Sequence, residues 1–222
     1  MTSRTQRLEC RAILFDLDGV LVDSRRCIEL VWHAWAAGHG LDPAPFLAVA
    51  HGRRTSESVR LVAPQLDAAA EARALDRLEE QETRGLAPAP GAAALLGTLD
   101  DMQWAVVTSG SRAVATLRLR TAGLPIPRVF VTADDVRRGK PDPEGYLAAA
   151  GRLGVGPADC VVVEDSPTGL GAGKAAAMRA VALLTTHPAE ALAAADARLA
   201  SLADLRVTHA PAGGGLVAAW DA

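Results

Sequence analysis

The stretch RAILFDLDGVLVDS, residues 11–24, runs an apolar segment, Ala12-Ile13-Leu14-Phe15, straight into two aspartates and a glycine. Side chains of a strand alternate between faces, so Asp16 and Asp18, two residues apart, project together from one strand tip. Two carboxylates held that close repel unless a cation or a reaction uses them. Asp and Gly also favour turns, so DLDG taken alone fits an ordinary strand-to-turn transition equally well. The remainder of the chain has to decide between the two readings.

The 222 residues suffice for one large domain or two small ones with a proper core. Half are hydrophobic, yet no uncharged apolar run reaches the ~18 to 20 residues that span a bilayer. The apolar stretch behind the basic start MTSRTQRLECR breaks at Asp16, unlike a secretory signal, and a cytoplasmic protein is expected. A net charge of −3 and a pI near 6.0, with no long basic run, argue against nucleic acid and anionic membranes as partners. The expected partner is a small molecule. Cys10, Cys27 and Cys160 lack metal-ligand spacing and are expected as buried, reduced thiols. Of 23 basic residues only Lys140 and Lys174 are lysines, so lysine is used where a compact ammonium does what arginine's planar fork does not.

Short apolar runs recur at AILFD (12–16), WAVVT (104–108), RVFVT (128–132), CVVVE (160–164) and AVALL (180–184), with helix-like stretches between the later ones. Near-continuous apolar strands alternating with helices predict an α/β protein with a doubly wound parallel sheet, covered on both faces. The segment between Val22 and Pro88 breaks that rhythm, since its pattern is helical throughout and far longer than one crossover needs. It is expected to be an inserted helical cap over residues 23–87, set into a core made of 1–22 and 88–222, with LAPAPGAA (86–93) as the return hinge. The tail VTHAPAGGGLVAAWDA (207–222) reads as a strand pair around a glycine turn.

In open α/β sheets the ligand site lies beyond the carboxyl ends of the strands. Here those ends carry Asp16 and Asp18, then TSGS (108–111), then EDSPTG (164–169), while RRGKPDP (137–143) follows the third strand. Turn propensity alone would not bring carboxylates, hydroxyls, a glycine turn and one of two lysines to one rim. Asp16, Asp18, Glu164 and Asp165 call for a hard cation, and Mg²⁺ takes oxygen ligands while leaving room for a substrate phosphate. Thr108, Ser109, Gly110 and Lys140 supply donors of the kind that hold phosphate oxygens. Metal, phosphate and carboxylates together point to phosphoryl transfer, with one Asp attacking phosphorus and the other moving the proton.

DLDGVLVDS, VTSGS, GKPDP and VVVEDSPTG, in this order, resemble the four motifs of haloacid dehalogenase-superfamily phosphatases, across residues 12–169. The resemblance implies a Rossmann-like core, Mg²⁺, and a phosphorylated small-molecule substrate. It implies Asp16 as nucleophile, Asp18 as general acid/base and carbonyl metal ligand, and Lys140 as the charge partner of phosphate and nucleophile. It further makes Thr108 and Ser109 phosphate-holding residues, and Glu164 and Asp165 members of the metal site. VWHAWAAGHGLDP and HGRRTSESVRLVAP are similar to segments of the family's sugar-phosphate and hexitol-phosphate phosphatases, which makes His51, Arg53 and Arg54 candidate substrate contacts in the cap.

Other residues are read as structural. GLGAGKAAA around Lys174 departs from a P-loop at Thr168 and Ala175 and is read as a helix capped by Ser166. Ser111 is expected to cap the next helix, and Trp32 and Trp35, at helical i, i+3 spacing, to pack in a core. EARALDRLEEQETR is read as a solvated helix face. Within the family, dehalogenases lack the second carboxylate that Asp18 provides. Phosphonate hydrolases use a cap lysine, and residues 23–87 contain none. β-Phosphoglucomutase shares the core motifs and differs in passing the phosphoryl group to a second sugar hydroxyl instead of water; it too relies on a cap lysine, whose absence weakens this alternative without ending it. A sugar-phosphate-binding regulator would be expected to have lost a catalytic residue, and none is missing.

Overall fold

The computed structural model describes residues 5–210 and 215–221. It begins with β1 (Thr5–Cys10) and β2 (Ala12–Phe15). The two-residue β3 (Val22–Asp23) leads into α1 (Arg25–His39), α2 (Ala44–Ala50), α3 (Thr55–Val62) and α4 (Ala68–Glu79), and β4 (Ala87–Pro88) leads out. There follow α5 (Ala92–Leu96), β5 (Trp104–Val107), α6 (Arg112–Thr121), β6 (Val129–Val131), α7 (Glu144–Leu153) and β7 (Cys160–Glu164). The chain continues through α8 (Pro167–Ala175), β8 (Arg179–Leu183), β9 (Ala197–Leu199), β10 (Arg206–His209) and β11 (Leu216–Asp221).

Six strands form one parallel sheet in the order β6-β5-β2-β7-β8-β9. β2 and β5 are buried along their whole length because both sheet faces are covered, which is why they read as unbroken apolar runs. Ile13, Phe15, Val106 and Val163 face one layer with Leu95 and Leu119 of α5 and α6. Leu14, Ala105, Val107 and Val162 face the other, with Tyr146, Ala149 and Leu170 of α7 and α8. The expected doubly wound architecture is present. Strand order reverses on either side of β2, so its carboxyl end opens at a topological switch point, where such sheets bind ligands.

The four helices α1 to α4 hold a separate apolar cluster that includes Trp32, Trp35, Phe46, Val59 and Leu75. Trp32 stacks on Phe46 with ring centroids 5.4 Å apart and meets Trp35 edge-on at 5.5 Å, so the tryptophan pair packs as its spacing foretold. At the foot of these helices β3 and β4 pair antiparallel, Val22 with Pro88 and Asp23 with Ala87. The run read as a solvated face is only partly so: Leu75 and Glu79 of α4 are buried.

β1, which the sequence pattern did not reveal, pairs with β11 in a small antiparallel sheet of order β1-β11-β10. Its residues are mostly exposed and polar, so no apolar periodicity marks it. The expected terminal strand pair is β10 with β11; most of the glycine turn assigned to it, residues 211–214, lies outside the described residues. Ser111 caps α6 by accepting from Val114 N, and Ser166 caps α8 by accepting from Gly169 N, with Pro167 in the first turn. All three cysteines are free and buried. Among the described residues no helix is long and apolar enough to cross a membrane.

Candidate active site

Asp16 leaves β2 with its N–H donating to the Val163 carbonyl at 3.0 Å, which fixes the carboxylate at the sheet's carboxyl edge. The turn that follows needs glycine twice over. Gly19 has φ +79, and a Cβ there would lie 2.0 Å from Asp165 Oδ2. Asp165 in turn is only 1 % exposed and accepts from Thr186 Oγ1. One ligand oxygen from each of Asp16, Glu164 and Asp165 lies within 4.8 Å of the others.

Lys140 is buried between two of these carboxylates. Its Nζ donates to Asp16 Oδ1 and, at 2.6 Å, to Glu164 Oε1. Glu164 has no free oxygen: Oε1 also accepts from Tyr146 Oη at 2.9 Å, and Oε2 accepts from Asp165 N, Ser166 N and Ser166 Oγ at 2.9–3.1 Å. Gly169 makes room for it, since a Cβ there would meet Glu164 Oε1 at 1.7 Å. By contrast, no hydrogen bond reaches Asp16 Oδ2 or Asp165 Oδ1 among the described residues.

The electrostatics follow from this crowding. Burial pushes the Asp16 carboxyl above its ordinary value, Glu164 and Asp18 add to the rise, and Lys140 opposes it. Asp165 is raised well above its ordinary value by burial and then by Glu164 and Asp16. Burial works the same way on Glu164, but the Lys140 ammonium and the Ser166 donors outweigh it and hold that carboxyl low. For Lys140, burial disfavours the charge, and the attraction of Asp16 and Glu164 more than restores it. Three carboxylates against one ammonium leave the cluster short of positive charge, and its open oxygens suit a hard divalent cation.

Beside this cluster lies a cavity lined by Asp16, Asp18, Thr108, Ser109 and Gly110 from the sheet edge and by Trp32, His51, Arg53 and Glu79 from the helical segment. The Thr108 Oγ1 accepts from Gly110 N at 3.1 Å, which shapes the turn, and Ser109 Oγ donates across to the Gly52 carbonyl at 3.0 Å. Burial holds the His51 imidazole below its ordinary value. Gly52, with φ +78, passes so close to the loop after β7 that a Cβ would strike Ser166 Oγ at 2.2 Å.

Arg53 and Arg54, between α2 and α3, have different surroundings. Arg53 lines the cavity. Arg54 spends its guanidinium on the carbonyls of Ala133, Val136 and Arg137, at 3.3, 2.7 and 3.0 Å, on the loop before Lys140. The Asp18 carboxylate is likewise engaged, since Oδ2 accepts from Arg118 Nη1 at 2.6 Å while Oδ1 is buried without a partner. Arg118 Nη2 also lies 3.2 Å from Glu79 Oε1.

Sequence reasoning missed Arg118, Glu79, Tyr146 and Thr186. Tyr146 had a usable signal, being the chain's one tyrosine and six residues beyond Lys140. Arg118, one of several arginines on α6, had none.

Fold and site define an α/β enzyme with clustered carboxylates and a buried lysine at the carboxyl edge of its parallel sheet. The family model for haloacid dehalogenase-like hydrolases matches residues 10–177, and the chain belongs to that family. It is 44% identical over 211 residues to hexitol phosphatase A of Escherichia coli, covering 93% of this chain and 98% of the relative. It is 38% identical to validoxylamine A 7'-phosphate phosphatase of Streptomyces hygroscopicus subsp. limoneus, covering 90% and 97%. Among solved structures, CbbY from Rhodobacter sphaeroides, crystallised with xylulose-(1,5)bisphosphate, superposes with a TM-score of 0.76 at 27% identity, covering 88% and 96%.

Proposed function

We propose that this enzyme hydrolyses small phosphate monoesters, foremost sugar and sugar-alcohol phosphates, through an aspartyl-phosphate on Asp16, with Mg²⁺ as cofactor. The observation that carries the reading is the shared geometry of one cavity. Asp16, Asp18 and the Thr108–Gly110 turn border the same space, and behind Asp16 stand Lys140, which it shares with Glu164, and the carboxylates of Glu164 and Asp165. Two of its relatives are a hexitol phosphatase and a validoxylamine A 7'-phosphate phosphatase, which supports a phosphorylated polyhydroxy substrate.

Asp16 attacks phosphorus, forming the new O–P bond as the bond to the leaving oxygen breaks. Asp18, through its unpartnered Oδ1, gives that oxygen its proton, so the alcohol departs neutral. Asp18 then takes a proton from water, which attacks the phosphoryl group and frees Asp16 and inorganic phosphate. Throughout, Lys140 keeps Asp16 oriented and offsets charge on the phosphoryl oxygens, while Thr108, Ser109 and the Gly110 amide hold those oxygens in line. Mg²⁺, when bound, supplies further charge neutralisation at the phosphoryl group. Asp16 and Asp165, with their open oxygens, and the Asp18 carbonyl would hold it, and Glu164 joins only by surrendering one of its present donors.

Residues 23–87 act in this reading as a cap that closes over the leaving group, with the β3–β4 pair as its stem and 1–22 with 88–222 as the core. The Arg54 clamp on the loop before Lys140 and the Ser109–Gly52 bond are the contacts closure would make. His51 and Arg53 face the leaving group. A cytoplasmic location suits such a substrate. A phosphate-release screen over sugar, sugar-alcohol and glycerol phosphates, with magnesium and with chelator, tests the reading. Release that persists in excess chelator would overturn its metal, and release from none of these compounds would overturn the activity.

A further inference from the structure

Glu79 ends α4 in the helical segment, and Arg118 lies in the middle of α6 against the sheet, 39 residues apart in sequence. Both are more than nine-tenths buried, at 8% and 4% exposed, and both line the cavity that holds Asp16 and Asp18. Two charged groups hidden this deeply are normally saturated with hydrogen bonds. These are not. Arg118 Nη1 is used by Asp18, but Nη2 has no hydrogen-bond partner, and its 3.2 Å approach to Glu79 lacks hydrogen-bond geometry. The Glu79 carboxylate receives no neutral donor among the described residues. Burial accordingly keeps its carboxyl above the ordinary value despite the guanidinium beside it.

We propose that Glu79 and Arg118 together form a subsite for the hydroxyl groups of the leaving alcohol, selecting polyhydroxy phosphates over alkyl and aryl phosphates. The proposal rests on the phosphatase reading above. A hydroxyl group donates to a carboxylate and accepts from a guanidinium, so two neighbouring hydroxyls of a polyol supply the hydrogen bonds that Arg118 Nη2 and the Glu79 carboxylate lack. An aryl or plain alkyl group offers neither bond and leaves Arg118 Nη2 without a hydrogen bond and Glu79 with only the ion contact to it, which is how a polar subsite rejects an apolar analogue. Trp32 and Ile28 on the same cavity wall supply apolar surface for the carbon chain between the hydroxyls. Because Arg118 also holds Asp18, the hydroxyl-binding group and the proton donor are fixed to one guanidinium, and the leaving oxygen is registered against Asp18 by the hydroxyls next to it.

The test is the specificity ratio of the magnesium-loaded enzyme, kcat/KM for a hexitol 6-phosphate divided by kcat/KM for p-nitrophenyl phosphate, in wild type and in Glu79→Gln. A ratio cancels any loss of folded protein, which lowers both values equally. The substitution keeps the side chain's volume but removes the charge, and the ratio should fall ~10-fold or more. Glu79→Ala, a second variant, should lower it at least as far. A ratio unchanged in both variants, or one that rises, would overturn the proposal. Should wild type release phosphate from neither compound, the phosphatase reading fails on its own, and calorimetry still decides the subsite. In an Asp16→Asn background, adding Glu79→Gln should weaken hexitol 6-phosphate ~10-fold more than inorganic phosphate, and equal weakening of the two would refute it.

Discussion

Replacing Lys140 with methionine removes one ammonium and leaves a side chain of similar length in the same buried slot. Lys140 is 5% exposed, Asp16 4% and Glu164 fully buried, so the variant strands two buried carboxylates without their ammonium. Breaking a buried ion pair by deleting one partner costs about 3–5 kcal/mol. For a chain of 222 residues, about 2–4 °C of melting temperature accompanies each kcal/mol, so melting in chelator should drop by roughly 6–20 °C. The sign with pH is fixed by Asp16. Its carboxyl is already raised by burial and rises further without Lys140, so the folded state binds the extra proton and stability falls as pH rises above the ordinary 3.8. The deficit should therefore be smaller at about pH 5 than at about pH 8. Magnesium should restore more melting temperature to the variant than to the wild type, because the added cation replaces missing positive charge. Thermal unfolding followed by circular dichroism, with chelator and with magnesium, measures all three. A loss under about 2 °C in chelator would mean that the ammonium does not compensate these carboxylates, and the electrostatic account of the site would be wrong.

Asp18→Asn should slow sugar phosphates far more than p-nitrophenyl phosphate, whose leaving group needs no proton, and equal losses in steady-state kinetics would remove Asp18 as the acid. Arg53→Ala should lower kcat/KM for hexitol phosphates ~10-fold or more and for an aryl phosphate by less, whereas Arg54→Ala, which loosens three bonds to the 133–137 loop, should lower both together. The same two-substrate kinetics would refute this assignment if the two variants behaved alike. Burial opposes the charge on Asp135, but the Thr132 donors, Arg152 and Arg112 hold its carboxyl down to about 2. That stabilisation is fully present above 3.8 and lost as pH falls toward about 2, so Asp135→Asn should flatten the acid side of the melting-temperature profile; an unchanged acid slope would show the network to be inert.

The parallel sheet was legible because each of its principal strands is covered on both faces, and two-sided burial leaves an unbroken apolar run in the sequence. The rim was legible for a related reason, since strand ends that carry Asp16, Thr108 and Glu164 have few structural uses for such residues. β1 escaped notice because an edge strand with exposed side chains carries no apolar period. The roles of Arg118 and Glu79 were hidden more deeply. Arg118 meets Asp18 across 100 positions of chain, and Glu79 lies in a run of alternating charges that reads as surface. Only the approach of Glu79 to Arg118 of α6 distinguishes it from its solvated neighbours. Arg53 and Arg54 likewise look equivalent as letters and diverge because the start of α3 turns one toward the cavity and the other toward the carbonyls before Lys140.

The claim at the centre of this account is that Asp16 itself carries the phosphoryl group. Rapid acid quench of the enzyme turning over a hexitol phosphate in magnesium, followed by peptide mass spectrometry, reads that directly. One phosphoryl group is expected on the peptide bearing Asp16, absent in chelator and absent from Asp16→Asn, which should also fail to turn over. An Asp16→Asn enzyme that still releases phosphate at an appreciable rate, or a phosphoryl group found on a different residue, would contradict the account.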